Sequence, residues 1–217
     1  MTGAGSRFAE RRELSRFLGQ IDAEFVVLIG SWARKRHAPE ISDIDLLVGL
    51  PSGSRLPRTR RIQPICLSFE QIVECVSAGD DLAQWSLRFG VPLSGREPWE
   101  RLKDEVLPNA PWPNTDRKFE LASKELDYAD DLRAMGDHEA AQAELKAGLG
   151  HLARALLLER HIFPLSRPEV PDQLRDAGLV GFASLLDTTS TRSLTRVELE
   201  DFVERGRALI SAGAVST

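Results

Sequence analysis

Residues 25–48 read FVVLIGSWARKRHAPEISDIDLLV, and this stretch decides how the N-terminal half is built. Glu24 to Ile29 is a short apolar run rich in β-branched residues, long enough for a buried strand and too short for a helix. It stops at Gly30-Ser31, where a helix is expected to open. A polar segment with Lys35, Arg36, His37 and Pro39 follows, and Ile44 to Leu50 then predicts a second strand. Asp43 and Asp45 stand at i and i+2 in that second run. Their carboxylates therefore share one face, about 6–7 Å apart along the chain.

A bare Asp-x-Asp is more often a polar strand edge than a site, so its setting matters. Two carboxylates this close repel unless a cation sits between them. Hard divalent ions such as Mg²⁺ take carboxylate and water oxygens and bridge them to substrate phosphates. Upstream, glycine lets a phosphate approach the backbone closely, while the Ser31 hydroxyl and the first N–H groups of a helix donate to it. One end of the stretch is suited to triphosphate oxygens, the other to the metal that neutralises charge at an attacked α-phosphate.

Working outward, Phe8 to Leu18 has Phe8, Leu14, Phe17 and Leu18 at helical spacing. Pro51 to Arg61 is a loop by composition. It carries Arg55, Arg58, Arg60 and Arg61, a cluster suited to phosphate but lacking the interleaved aromatics of a base-stacking surface. Ile62 to Leu67 is a weaker third strand, and Pro64 inside it predicts an edge or a bulge. Ser68 and Gln71 have the form of a capping box opening a helix to about Ala78. A second helix spans Asp81 to Phe89, and Val91 to Leu93 returns as a strand. The prolines of Pro108 to Asn114 mark a linker.

Beyond it the pattern is helical: Thr115 to Met135, His138 to Ile162, and shorter helices near 168–177, 180–186 and 195–211. The fold class expected is α+β, a small mixed-sheet domain at 1–110 followed by an α-helical bundle at 115–217.

The length of 217 residues allows one large domain or two small ones. The net charge of −5 is unevenly placed, with 15 Lys/Arg against 15 Asp/Glu in residues 1–110 and 13 against 18 thereafter. An anionic ligand of the first half is therefore compatible with the overall acidity. Two cysteines, Cys66 and Cys75, and no leader-like N-terminal segment give no support for secretion, and a cytoplasmic location is expected. No apolar stretch approaches the ~20 residues that cross a bilayer, and no Cys/His metal cluster is present.

The two motifs, Gly30-Ser31-Trp32-Ala33-Arg34 and Ser42-Asp43-Ile44-Asp45-Leu46, set on apolar strands with eleven residues between Ser31 and Asp43, closely resemble the nucleotidyltransferase fold of the DNA polymerase beta superfamily. The chain is most similar to the minimal and antibiotic nucleotidyltransferases, with Lys35 where glycine is usual. The resemblance implies that Asp43 and Asp45 ligate Mg²⁺ and that Gly30, Ser31 and Arg34 bind the nucleotide. The expected activity is transfer of a nucleoside monophosphate, AMP from ATP in the first instance or from another NTP, to a hydroxyl of a small molecule, protein or RNA end. Trp32, Trp85, Trp99 and Trp112 are expected mostly in core or interdomain packing, with Trp32, directly after Gly30-Ser31, the candidate to line the nucleotide or acceptor pocket.

Active members of the family generally add a third carboxylate from the third strand. Between Arg60 and Phe69 this chain has none. Gln63 is the nearest polar stand-in, and an amide cannot remove a proton at neutral pH. Glu70 and Glu24 are the candidate bases, and the alternative is a catalytically degenerate binding or regulatory protein of antitoxin-like type.

The helical half resembles the HEPN family, through Arg154 and His161 seven residues apart on a long helix, the loose limit of that family's Arg-x₄₋₆-His pattern. A HEPN-type ribonuclease is the lesser alternative. The acidity of this half disfavours nucleic acid, and a bundle beside such a site is better suited to an acceptor pocket or a homodimer interface.

Overall fold

Four strands and ten helices occupy residues 12–36, 43–50 and 54–213, the parts of the chain that the computed structural model describes. Phe8, His37, Pro39, Ser42 and the opening of the 51–61 loop lie outside the described residues. The chain divides into two compact units, Met1–Pro113 and Asn114–Thr217.

In the first unit, helix α1 (residues 12–18) precedes strand β1 (Phe25–Leu28), and one helical turn, α2 (Gly30–Ala33), follows it. Strand β2 (Ile44–Gly49) lies antiparallel to β1, with Leu28 opposite Leu46. Strand β3 (Ile62–Leu67) runs parallel to β2, and β4 (Val91–Ser94) runs antiparallel to β1. The order β3-β2-β1-β4 puts β3 at an edge, the place where Pro64 is tolerated because its missing N–H is not needed by a second neighbour.

The sheet is covered on both faces. Phe17 of α1 packs with Val26, Ile44, Leu46, Val48 and Ile62, whose side chains alternate with those of the opposite face. On that opposite face Phe25 meets the Trp99 ring, their centroids 5.2 Å apart. Trp99 and Leu102, one turn apart, are 1% and 0% exposed on α5 (Arg96–Val106). The sequence reading assigns no element to 95–107. Its apolar positions Trp99, Leu102 and Val106 do have helical spacing, but seven charged residues among the eleven mask it.

Helices α3 (Phe69–Ser77) and α4 (Asp81–Phe89) complete the unit. The capping box forms as expected: the Gln71 N–H donates to Ser68 Oγ at 3.3 Å, and the Ser68 N–H donates to Gln71 Oε1 at 2.9 Å. A 3₁₀ turn at Leu107–Asn109 leads out of α5, and Gln84 Nε2 donates to the Pro111 carbonyl at 2.7 Å, tying the proline-rich stretch to α4.

The second unit is all helical: α6 (Asp116–Met135), α7 (His138–Glu159), α8 (Val170–Asp176), α9 (Val180–Thr191) and α10 (Arg196–Gly213). Asp137 caps α7 by accepting the Ala140 N–H at 3.1 Å. Leu126, Leu145, Leu149, Leu152 and Leu157 are fully buried at its centre. Together the units form an α+β fold, a mixed sheet with helices followed by a helical region. Among the described residues no helix is long and apolar enough to cross a membrane.

Candidate functional site

The turn that follows β1 brings the two sequence motifs into contact. The Ile29 N–H donates to the Asp45 carbonyl at 3.0 Å, which continues the β1–β2 ladder one step beyond the strand. The next residue, Gly30, has φ +67, a left-handed conformation that side-chain-bearing residues avoid. A Cβ on Gly30 would stand 2.5 Å from Asp45 Oδ2. The backbone angle favours glycine, and any added Cβ would have to push the Asp45 carboxylate aside. Asp45 is half-buried, whereas Asp43, immediately before β2, is exposed.

Strand β3 decides what stands beside this pair. Its parallel register aligns Asp45 with Gln63, and the Ile44 N–H donates to the Arg61 carbonyl at 2.8 Å. Asp45 and Gln63 therefore share a face, as expected for a strand that supplies an amide where a carboxylate would face the pair. The candidate bases lie elsewhere. The Glu24 N–H bonds the Gly49 carbonyl, and Glu70 follows β3, whose last residue Leu67 is paired with Gly49. Both belong to the far end of β2, about 13 Å of strand from Asp45. Glu70 is also engaged locally: its own backbone N–H and the Ser68 hydroxyl, the latter at 2.8 Å, hold its carboxyl below the usual range, which disfavours service as a base. Among the described residues no group of three or more His, Cys, Asp or Glu side chains is placed to hold a metal.

The short helix α2 ends in a motif that accounts for Lys35. The Arg36 N–H donates to the Ser31 carbonyl at 2.9 Å and the Lys35 N–H to the Trp32 carbonyl at 3.1 Å, the paired bonds of a Schellman ending. Its C′ residue must be left-handed, and Lys35 has φ 57. The glycine usual in the resembled family suits that angle; lysine carries it under strain. Arg34, one residue earlier, places its guanidinium 5.3 Å from the centre of the Phe89 ring at the end of α4. That contact brings together residues 55 positions apart, and no local pattern announces it. Trp32 packs against the cluster containing Phe17 and Ile44. It is half-buried there.

In the second unit the expected Arg154–His161 pair does not share a helix face. Helix α7 stops at Glu159. The Ile162 N–H bonds the Leu157 carbonyl and the His161 N–H bonds the Leu158 carbonyl, so His161 is the left-handed residue, φ 58, of a second Schellman ending. Arg154 Nη1 donates to the Leu165 carbonyl at 3.4 Å, toward the segment after the helix. The two-turn spacing assumed a helix that continued to Ile162.

Residues 11–86 match a family model described as nucleotidyltransferase domain, a span that runs from α1 through most of α4 and includes Gly30, Ser31, Asp43, Asp45 and Gln63. The match supports nucleotidyl transfer as the general class of activity of this N-terminal domain. No curated protein matches the chain. Among solved structures the chain is similar to a nucleotidyltransferase-like protein from Exiguobacterium sibiricum 255-15, at 16% identity and a TM-score of 0.47, over 95% of this chain and 74% of that one.

Proposed function

We propose that the protein is a Mg²⁺-dependent nucleotidyltransferase that moves a nucleoside monophosphate, in the first instance AMP from ATP, onto a hydroxyl acceptor. The observation that carries this reading is the seat of the Asp45 carboxylate against Gly30, which joins the glycine-serine turn and the carboxylate pair in one place. Asp43 and Asp45 fit a hard divalent cation: two anionic oxygen donors on one strand face, one exposed and one half-buried, leave the remaining positions to water and substrate phosphate. When bound there, Mg²⁺ neutralises charge on the transferred phosphoryl group and on the departing pyrophosphate.

The chain's own residues do the rest. Ser31 offers its hydroxyl to the phosphates. Arg34, set over the Phe89 ring, brings a positive charge to the phosphate oxygens. The acceptor oxygen attacks the α-phosphorus in line, the bond to the pyrophosphate oxygen breaks, and the acceptor's proton leaves to solvent, because Gln63 beside Asp45 has no basic site to receive it.

The same glutamine favours a second reading, a binding or regulatory protein that keeps nucleotide affinity without turnover. Calorimetry with ATP across Mg²⁺ concentrations, paired with a pyrophosphate-release assay, distinguishes the two. Release that is lost in Asp45→Asn with the fold intact supports the enzyme. Mg²⁺-dependent binding without release supports the binder. Equal release by Asp45→Asn refutes the assignment of the site.

A further inference from the structure

A cavity of the first unit lies on the side of the sheet away from Asp45. Helix α1 packs through Phe17 onto Ile44, Leu46 and Val48, whose side chains alternate along β2 with Asp45, so α1 covers the face opposite the carboxylate pair. Against the outer side of α1 stands a cavity of about 490 Å³. Arg12 and Arg16 line it from the helix, and Arg58 and Arg60 line it from the loop before β3. Among the described residues its one acidic side chain is Glu13. Among the described residues, four guanidinium groups against one carboxylate give the walls a formal charge of +3, within a chain whose net charge is −5.

The arrangement is built rather than incidental. Glu13 Oε1 accepts the backbone N–H groups of Arg60 and Arg61 at 3.1 and 3.4 Å, and the Thr59 hydroxyl donates to the Ile62 carbonyl at 2.9 Å. These bonds hold the loop against the helix and so set Arg58 and Arg60 opposite Arg12 and Arg16. Arg12 and Arg16 are also one helical turn apart, a like-charge spacing that destabilises a helix. Among the described residues, Arg16 and Arg58 form no ion pair. Like charges gathered around a cavity, those of Arg16 and Arg58 here, repel one another, and an anion seated among them removes that repulsion.

We propose that this cavity binds a small, multiply charged phosphate ligand, either an inorganic polyphosphate or the phosphate groups of a small organophosphate. Guanidinium forks match phosphate oxygens in pairs, and the volume lies in the range of small-molecule sites. Single-stranded nucleic acid is the less suited occupant. Phe17, the aromatic on the lining, is 1% exposed and offers no face on which a base stacks.

The test uses the full chain, with EDTA present so that no metal takes part. Pyrophosphate is titrated by calorimetry into the wild type, Arg16→Gln, Arg58→Gln, the double variant and Asp45→Asn. A small phosphosugar and a short single-stranded RNA are run as parallel arms. The proposal expects pyrophosphate binding that weakens about tenfold or more in the double variant, weakens less in each single variant, and is unchanged in Asp45→Asn. Stronger binding of the phosphosugar than of pyrophosphate, lost in the same variants, assigns the site to an organophosphate; the reverse order assigns it to a polyphosphate. The proposal is overturned by no binding at millimolar anion, by equal binding in the arginine variants, or by RNA binding that exceeds both small ligands and depends on Arg16 and Arg58. Asp45→Asn separates it from the proposed transferase: that variant stops nucleotidyl transfer and leaves this site intact.

Discussion

Replacing Gly30 by alanine tests the site at the atom on which it depends. The substitution adds one methyl group and changes two things. A left-handed backbone at φ +67 costs alanine about 1–2 kcal/mol relative to a relaxed residue. The new Cβ, 2.5 Å from Asp45 Oδ2, must regain ordinary contact of at least 3.4 Å, so the carboxylate is displaced by about 0.9 Å or the turn opens by as much. A ligand or catalytic group misplaced by ~1 Å loses on the order of 100-fold in rate. Gly30→Ala is therefore expected to lower the unfolding free energy by at least the backbone cost, read by urea denaturation. Pyrophosphate release should fall about 100-fold at a temperature where the variant remains folded. Gly178→Ala isolates the backbone part, because Gly178 has φ +79 with nothing within 4 Å of an added Cβ. If Gly30→Ala releases pyrophosphate at the wild-type rate, or costs no more stability than Gly178→Ala, the contact between Gly30 and the Asp45 carboxylate does not organise the site.

Three further outcomes are expected. Lys35→Gly relieves the left-handed C′ position of α2 and should raise stability by about 0.5–1 kcal/mol after the added freedom of the unfolded glycine is counted, with a lower urea midpoint as the contrary result. Gln63→Glu places a carboxylate in register with Asp45 and should raise kcat for pyrophosphate release, with the gain appearing as pH rises through the new carboxyl's titration; ATP binding with no gain would show that the missing base is not what limits transfer. In the helical unit, Arg133 and then Arg207 hold the Asp130 carboxyl below its usual range, and Arg192, with the Thr195 N–H and hydroxyl, holds Glu198 at about 2 against an ordinary 4.5. A depressed folded value means the stabilisation is fully present above the unfolded value and is lost as pH falls, here between about 4.5 and 2 for Glu198. Arg192→Gln should thus weaken the unit at pH 7 and much less near pH 2 by urea midpoint, and an equal loss at both values would refute the pairing.

Much of the N-terminal unit is written in short-range signals. β1, β2 and β3 fall where apolar runs of strand length are bounded by glycine, proline and polar residues. Helix α3 begins at its capping box because both partners lie within four residues. The helices of the second unit follow the 3.6-residue stripe, and their ends shift by a few residues where a capping motif intervenes, as at Glu159. Helix α5 has no such local signal, because its charged residues dilute the apolar spacing of its buried Trp99 and Leu102.

By itself, the amino-acid sequence determined the α+β class, the Gly30-Ser31 turn, the Asp43/Asp45 alternation and the absence of a carboxylate on β3. Each of these depends on residues a few positions apart. The tertiary structure alone decided which distant residues meet. The parallel register of β2 and β3 puts Gln63 beside Asp45 and sends Glu24 and Glu70 to the other end of the strand. The fold also seats Arg34 on Phe89, packs the half-buried Trp32 against the cluster of Phe17, and carries the 55–61 loop across to α1, where Arg58 and Arg60 meet Arg12 and Arg16. Strand register and helix docking are set by the burial of whole faces, a sum over many long-range contacts that no local spacing records.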